Sequence, residues 1–398
     1  MPDLTSRLAG ALPAGGFRGT FVGRAHVPGD PGGPGPVLLR EDGVFDLSRR
    51  LPTLADVLAA DDPAKAAHEA AGERLGAVAD LLANSAHDHQ DATRPYFLAP
   101  ADLQALKACG VTFVKSMLER VIEDRAKGDP AAAEGVRKAI AGEIGASLRE
   151  LKPGSPEAAR IKQVLQQRGL WSPYLEVGIG PDAEIFTKAQ PMAAVGTGAL
   201  IGVHPQSTWN NPEPEVVLAI APDGRIAGAT LGNDVNLRDV EGRSALLLGR
   251  AKDNNGACAI GPWLRLVDDS FGQDDIRRLV VRLRVEGEDG FLLDGASPLS
   301  EISRDIADLA GQALGAHNQF PDGLLLFTGT MFAPIEDRDA PGRGFTHHLG
   351  DLVEISAPAI GALVNRVGHT DKIPPWRFGA RALMANLAAR GLLGGVAR

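Results

Sequence analysis

The stretch that decides the fold is PEPEVVLAIAPDG at residues 212–224, followed by IAGATLGND at residues 226–234. Apolar and β-branched residues stand on both sides of a Pro-Asp-Gly turn, which predicts two adjacent strands. Side chains two apart on an extended chain point the same way, so Glu213 and Glu215 leave the first strand on one face. We expect Asp234 to return beside them after the turn and the second strand.

Three converging carboxylates repel one another unless a cation neutralises them. A set of oxygen ligands suits a hard divalent ion, Mg²⁺ first, with Mn²⁺ or Ca²⁺ as alternatives. The same acids in a turn-rich region also fit a solvent-exposed surface, and a lone Glu-x-Glu pair has little specificity. From spacing alone, both interpretations stay open.

Composition narrows the class of protein. A chain of 398 residues is long enough for two domains, or for one large domain with an appendage. Its 44% hydrophobic and 23% charged residues are ordinary for a globular protein. The net charge is −9 and there is no basic run, so we expect no nucleic-acid partner.

The predicted location is cytoplasmic. No apolar stretch approaches the roughly 20 residues that cross a bilayer, so we expect no membrane partner. The first residues lack the pattern of a signal peptide. Cys109 and Cys258 lie far apart in the sequence and are expected to be buried thiols rather than a disulfide.

Residues 1–95 are predicted to form a small N-terminal α+β domain. Alternation and turn residues indicate short strands, and Thr53 is a plausible N-cap for a helix. The expected elements are a strand at 19–25, a hairpin of 36–40 with 43–47, and helices from 53 and at 63–84.

Residues 96–398 are predicted to form a β-rich α+β domain, a rolled, mixed β-sandwich with peripheral helices. A helical insert at about 115–170 is expected to serve packing rather than chemistry. The predicted elements are helices at 115–127, 131–151 and 156–168, strands within 174–367 (195–203, 215–220, 279–285, 323–327 and 351–355), one interrupting helix at 300–314 and a helix within 374–393.

Six further segments occur together with this pair of strands. They are GVTF at 110–113, NDVNLRDVEG at 233–242, AK at 251–252, IGPW at 260–263, TGT at 328–330 and LGDLVEI at 349–355. In this order they resemble the fumarylacetoacetate hydrolase superfamily, over about residues 105–370. The resemblance implies that Glu213, Glu215 and Asp234 bind Mg²⁺.

Within the superfamily, the bacterial 2-keto-3-deoxy-D-pentonate dehydratase branch is the most similar. The segments that carry this likeness are WNNPEPE at 209–215, RDVEG at 238–242 with Lys252, GVTF at 110–113 with Ser116 and Arg120, and AEIFTK at 183–188, which has Ala where the branch has Pro. Hydrolases of the superfamily activate water with a His–Glu pair on a lid, and this chain has no histidine between His89 and His204.

The resemblance implies a lyase that removes water from a 2-keto-3-deoxy sugar acid to give 2,5-dioxopentanoate, in pentose degradation. A metal-bound keto acid is easier to deprotonate at C3, and loss of the C4 hydroxyl then needs a proton donor. By its match to the branch, Glu184 is the leading acid or base; the alternative is a surface glutamate. Lys252 is a second acid or base, or binds the substrate at the enolate oxygen; the alternative is a salt bridge to a metal-site carboxylate.

The remaining site residues have weaker assignments. Ser116 is expected to bind substrate or orient Glu184, with a helix N-cap as the alternative. Thr330 and the Gly329 backbone are expected to bind the substrate carboxylate, unless the segment is only a strand-ending turn. Arg238 is a candidate for substrate binding or for pairing with an acid near the metal.

Two other functions stay open. One is a hydrolase that cleaves a C–C bond of a 2,4-diketo-3-deoxy sugar acid, against which the missing lid histidine argues. The other is a non-catalytic sugar-acid-binding protein, which would not need Lys252 beside an intact carboxylate set. The resemblance also implies self-association into a homodimer or a larger assembly.

Overall fold

The computed structural model describes residues 3–127, 129, 151–167, 171–332, 334 and 336–393. The side chains at 115, 116, 119, 123 and 124 are not described. Most of the predicted helix at 131–151 therefore lies outside the described residues. The helices at 115–127 and 156–168 are confirmed within one residue at each end, as Val114–Ala126 and Pro156–Gln167.

Strands dominate the described part of the chain. They are β1 Phe21–Val27, β2 Gly33–Arg40, β3 Gly43–Asp46, β4 Arg74–Gly76, β5 Tyr96–Leu98, β6 Ala105–Gly110, β7 Glu184–Ala189, β8 Leu200–Val203, β9 Asn210–Asn211, β10 Pro214–Ile220, β11 Ile226–Asp234, β12 Asn236–Leu237, β13 Cys258–Leu266, β14 Val280–Glu286, β15 Leu292–Pro298, β16 Leu324–Phe327, β17 Leu352–Ala357 and β18 Gly361–His369.

Helices lie between and around these strands. They are α1 Leu4–Ala9, α2 Leu54–Ala59, α3 Pro63–Ala70, α4 Val78–Asn84, α5 Val114–Ala126, α6 Pro156–Gln167, α7 Pro173–Ile179, α8 Arg238–Glu241, α9 Leu248–Lys252, α10 Gln273–Arg277, α11 Ile306–Ala313 and α12 Ala380–Ala389. Short 3₁₀ turns occur at Ala245–Leu247 and Leu299–Glu301.

The strands form two main sheets. The larger sheet has the order β4-β3-β2-β1-β13-β11-β10-β16-β6-β7, with β5 on β1, and the smaller has the order β15-β14-β17-β18-β8. Most neighbours are antiparallel, whereas β16 with β6 and β18 with β8 are parallel. A short ladder joins β9 to β12. The strand-rich, mixed α+β architecture predicted from the sequence is confirmed.

The central hairpin of β10 and β11 is buried on both faces. On β10, Val216, Leu218 and Ile220 contact the core shared with the smaller sheet. The alternate residues Val217 and Ala219 belong to the core that includes α2. A strand covered on both sides needs an apolar run rather than an alternating one, which is why the sequence here is almost entirely apolar.

The predicted N-terminal unit shares the large sheet. Phe21 and Val22 on β1 pair with Arg265 and Leu264 on β13, so no gap separates the two parts. Thr53 is the N-cap of α2, as the sequence predicted, and together with Asp56 it forms a capping box. The division at residue 95 stays a prediction.

Two predicted helices and one predicted β-region differ from the structure. The helix at 63–84 is two helices, α3 and α4, separated by β4, where Gly76 takes a φ of +157° that favours glycine. The helix at 300–314 begins only at Ile306, because Asp305 caps its N-terminus. The predicted β-region at 174–367 also contains α7 at its start and the short helices α8, α9 and α10.

We expect Leu326→Ala to lower the free energy of unfolding by about 2–5 kcal/mol, because Leu326 is fully buried at the junction of β16 and β10. The matched control is Leu246→Ala, since that side chain is 95% exposed and should change stability little. Urea unfolding measures both. Equal effects would contradict the placement of β16 in the core.

Candidate functional site

The three acids predicted to converge do so at one end of the central hairpin. Pro214 pairs with Asn233, which brings Glu213, Glu215 and Asp234 to adjacent positions. All three are buried, and each offers a carboxylate oxygen within 4.8 Å of the others. The Asp234 amide donates to the Glu213 carbonyl at 3.0 Å, and the Glu213 amide donates to Asn233 Oδ1 at 3.1 Å. The backbone therefore fixes the cluster independently of any ion.

Two lysines neutralise part of the cluster. Lys252 Nζ lies 2.5 Å from Glu213 Oε2 and 3.0 Å from Asp234 Oδ2. Lys188 Nζ lies 2.7 Å from Asp234 Oδ1 and also donates to the carbonyl oxygens of Val235 and Lys252. Burial acts to raise the pKa of Asp234, but these two ammonium groups outweigh it and hold the pKa below its usual value.

An arginine from the helical segment completes the charge network. Arg120 on α5 contacts Glu213 Oε1 through Nη2 at 2.5 Å and Glu241 Oε2 through Nη1 at 2.9 Å. Both carboxylates are buried. The helix that opens the predicted packing insert therefore contributes a side chain to the site, which the expectation of a purely structural insert did not include.

Glu215 is held differently from the other two acids. Its Oε2 accepts a hydrogen bond from the Gly329 amide at 2.6 Å. Gly329 has a φ of +88°, and a Cβ there would lie 2.1 Å from Thr112 Oγ1, so glycine is required on both counts. Burial, followed by the charges of Asp234 and Glu213, raises the pKa of Glu215 well above its usual value.

Glu184 lies across the cavity at the start of β7. It pairs with Gly110 on β6, and a Cβ at Gly110 would collide with its carboxylate. Burial, followed by the charge of Glu241, raises the pKa of Glu184 to about 7. A carboxyl group with this pKa can take up or release a proton near neutral pH.

One cavity of about 30 Å³ joins these groups, enough for an ion or about two waters but not for a sugar acid. Its lining includes seven of the predicted site residues: Glu184, Glu213, Glu215, Asp234, Lys252, Gly329 and Thr330. Glu241 adds a fifth carboxylate to this lining. Against these five stand the three basic groups of Arg120, Lys188 and Lys252. The five acids outnumber the three basic groups, and this all-oxygen set fits a divalent cation, which would favour the ionised forms of Glu215 and Glu184.

Lys252 is a cation in this arrangement. Burial acts to lower its pKa, but Asp234 and Glu213 outweigh burial and raise it above the usual value. The alternative weighed from the sequence, a partner of metal-site carboxylates, is what the structure shows. A base at this position would require the loss of both contacts.

One predicted site residue, Arg238, does not line this cavity. Arg238 lies 4.3 Å from the centroid of the Trp209 ring and donates to the Pro334 carbonyl at 2.8 Å. Neither Trp209 nor Pro334 belongs to the lining of the cavity. Ser116 stands in the first turns of α5, but its side chain is outside the described part of the structure.

Lys188, Arg120 and Glu241 received no role from the sequence. Lys188 follows Glu184 at i+4 on one strand, so alternation predicts that both face the same side. That signal was present in the sequence. Arg120 and Glu241 lie on helices far apart in the chain, and no local spacing relates them.

Residues 180–368 match the family model described as Fumarylacetoacetate (FAA) hydrolase C-terminal. That part of the chain is therefore similar to the C-terminal domain of fumarylacetoacetate hydrolases, and the predicted resemblance is confirmed. The remainder of the chain lies outside the match.

Two curated relatives are each 33% identical to the chain. One, from Haloferax volcanii, is a probable 2-keto-3-deoxyxylonate dehydratase, matched over 49% of this chain and 63% of the relative. The other, from Saccharolobus solfataricus, is a 2-dehydro-3-deoxy-D-arabinonate dehydratase, matched over 48% of this chain and 60% of the relative. The chain thus spans less than two thirds of each relative's length.

A solved structure shares the fold. It is 2-keto-3-deoxy-D-arabinonate dehydratase complexed with magnesium and 2,5-dioxopentanoate, at 22% identity and a TM-score of 0.58, covering 88% of this chain and 99% of that one. The fumarylacetoacetate hydrolase-like fold expected from the sequence is confirmed. A separate observation concerns membranes: none of the helices in the described residues has both the length and the apolar content to cross one.

We expect Glu184→Gln to remove a pH dependence of stability in the metal-free protein. The folded pKa of about 7 exceeds the unfolded value near 4.5, so Glu184 favours folding fully below pH 4.5 and loses that contribution as pH rises to about 7. Relative to the parent, the variant should gain roughly 2–3 kcal/mol between pH 4.5 and 8. Urea unfolding in EDTA at both pH values measures it.

The control for this comparison is Glu288→Gln, because Glu288 is exposed and away from the cavity. It should follow the parent at both pH values. A difference between parent and Glu184→Gln that does not change with pH would contradict the raised pKa.

Proposed function

We propose that the chain is a Mg²⁺-dependent hydro-lyase that dehydrates a 2-keto-3-deoxy sugar acid. The proposed substrate is 2-keto-3-deoxy-D-pentonate, of D-arabinonate or D-xylonate type, and the product is 2,5-dioxopentanoate. The observation that carries the proposal is the buried cluster of Glu213, Glu215 and Asp234, an all-oxygen donor set that lines one cavity with Glu184. The names of the two relatives and of the magnesium-bound fold neighbour support it.

Glu213, Glu215 and Asp234 are the proposed metal ligands, with Mg²⁺ as the ion and Mn²⁺ as the alternative. When bound, a divalent ion polarises the keto group of the substrate and makes its C3 proton more acidic. The donor set is all oxygen, which suits either ion. Lys252 and Lys188 stay within ion-pair distance of this set and limit its net charge.

Glu184 is the proposed proton acceptor for C3. Its pKa near 7 leaves a substantial fraction ionised at neutral pH, which a base requires. Lys252, held as an ammonium ion, is suited to stabilise the negative charge that develops on the keto oxygen. Departure of the C4 hydroxyl as water leaves a C3=C4 double bond conjugated with the keto group. Loss of a proton from C5 and return of a proton to C3 then give the C5 enol, which tautomerises to the aldehyde.

The substrate carboxylate is assigned to the end of β16. Thr330 lines the cavity beside the metal cluster. The amide of Gly329 already donates to Glu215, so we propose that Thr330 contacts the substrate and Gly329 positions a metal ligand. Ser116 keeps its proposed role near Glu184, and Arg238 is proposed to support the wall at Trp209.

Three broader expectations also stay proposals. The division into units at 1–95 and 96–398, the cytoplasmic location and the homodimeric or larger assembly follow from the sequence. Since the cavity admits an ion but not a sugar acid, the proposal also requires the site to open before substrate binds.

We expect Glu215→Gln to weaken Mg²⁺ and Mn²⁺ binding by at least tenfold, because an amide offers the ion no negative charge. Glu215 accepts its hydrogen bond from a backbone amide, so the variant does not leave a lysine or arginine without its ion-pair partner. Calorimetric titration of Mn²⁺ without substrate measures binding independently of turnover. Glu288→Gln is the control, and equal affinities in all three proteins would exclude the metal assignment.

We expect Glu184→Gln to lower kcat by at least 100-fold while Mn²⁺ affinity stays within about threefold. The assay supplies 2-keto-3-deoxy-D-pentonate and traps the aldehyde of 2,5-dioxopentanoate. Full turnover in the variant would reject Glu184 as the base. If the parent instead released a two-carbon or three-carbon fragment, the C–C hydrolase would replace the dehydratase.

A further inference from the structure

A second and larger cavity lies apart from the carboxylate cluster. Its volume is about 580 Å³, within the usual range for sites that bind small organic ligands. Strand β1, the segment 192–200 and the C-terminal segment 373–378 contribute to its walls. The two cavities share no lining residue.

Arg24 is the residue that distinguishes this cavity. It lies on β1 opposite Pro36 of β2 and Leu98 of β5, and it lines the cavity wall. Arg24 is only 7% exposed. Among the described residues, no hydrogen bond or ion pair reaches the guanidinium group.

The acid with the strongest influence on Arg24 is engaged elsewhere. Asp102 accepts hydrogen bonds from the amides of Leu54 at 2.6 Å and Leu103 at 2.7 Å, and it holds the start of α2. Burial lowers the pKa of Arg24, and the charge of Asp102 only partly opposes this. An arginine nevertheless remains protonated, so a cation without a close counter-charge faces the cavity.

The rest of the lining supplies no negative charge. It includes Arg377, His26 and His87, and none of the residues that form this lining is Asp or Glu. This is notable in a chain whose net charge is −9. A cavity lined by arginine and histidine without an acid favours a negatively charged ligand.

Aromatic side chains also line this cavity. Trp376 is 47% exposed and Phe378 is 37% exposed, and both line the cavity. Tyr96 stacks on His26 with a centroid distance of 4.9 Å and an interplanar angle of 16°. These surfaces suit a planar or apolar ligand body rather than a fully hydrated ion.

We propose that this cavity binds a small organic anion, a carboxylate or a phosphate monoester on a planar or apolar body, with the anionic group against Arg24. The proposal does not depend on the dehydratase function, since the two cavities are separate. Two close hydrogen bonds from a guanidinium to such a group are stronger than contacts between neutral groups.

The test measures binding of 8-anilinonaphthalene-1-sulfonate by fluorescence, followed by displacement with benzoate and with phenyl phosphate. The parent should bind one equivalent of the dye. Displacement by benzoate alone indicates a carboxylate ligand, and displacement by phenyl phosphate alone indicates a phosphate monoester. Failure of both competitors would overturn the proposal.

The variant is Arg24→Met, and its matched control is Arg49→Met, which removes the same charge from an exposed position outside the cavity. We expect at least tenfold weaker binding in the first and parental affinity in the second. Arg24→Met should fold at least as well as the parent, because it removes a buried charge without a close partner. Parental affinity in Arg24→Met would overturn the proposal.

A second copy of the chain is the other occupant to exclude. If a second copy covers this cavity, the parent should bind no dye, and Arg24→Met should change the sedimentation coefficient. That result would overturn the small-molecule proposal. Should Arg24→Met fail to fold, Trp376→Ala provides the test from a half-exposed position. It should weaken benzoate binding several-fold, and unchanged binding would contradict the cavity assignment.

Discussion

Repulsion among buried carboxylates is the constraint on which the rest of the structure depends. Two like charges 4 Å apart cost about 4 kcal/mol at an effective dielectric constant of about 20. Five carboxylates line a cavity that holds little more than an ion. Such a set persists only if cations lie within contact distance or if some of the acids keep their protons. The structure uses both means, with three basic groups beside the cluster and a raised pKa at Glu215.

The basic groups tie distant parts of the fold to the central hairpin. Arg120 comes from α5, Lys188 from β7 and Lys252 from the end of α9. None of these elements neighbours β10 or β11 in the sheet order. Because each side chain pairs with an acid at the end of the hairpin, the position of the helical segment and of the outer strand is coupled to the site. Glu213 and Asp234 each contact two of these bases, so loss of one base would remove half of the ion pairs of a buried acid rather than all of them.

Local rules predicted the carboxylate cluster but not its partners. Glu213 and Glu215 converge because of strand alternation, and Asp234 joins them because a tight turn reverses the chain. Lys188 obeys the same alternation relative to Glu184, so its place was accessible from the sequence. Arg120 and Glu241 are brought together only by tertiary packing, which no spacing encodes.

The difference between local rules and tertiary packing also explains the errors in the predicted fold. The segment 63–84 is rich in alanine and was predicted as one helix, but β4 pairs with β3 in its middle. Helix propensity amounts to at most about 1 kcal/mol per residue, so sheet pairing and a glycine at positive φ override it. The N-cap of α2 at Thr53 was predicted correctly because an N-cap depends only on residues within one turn.

The two cavities share one electrostatic feature, although the charges that face them have opposite signs. At the hairpin, Glu215 contacts the Gly329 amide while the nearby ammonium groups serve Glu213 and Asp234. At β1, Arg24 faces a cavity while Asp102 serves the start of a helix. In each place, the oppositely charged side chains nearby are already engaged by other groups. A charge left uncompensated beside a cavity is therefore a better guide to a ligand site than the volume of the cavity, since volume alone says nothing about the sign of what it would hold.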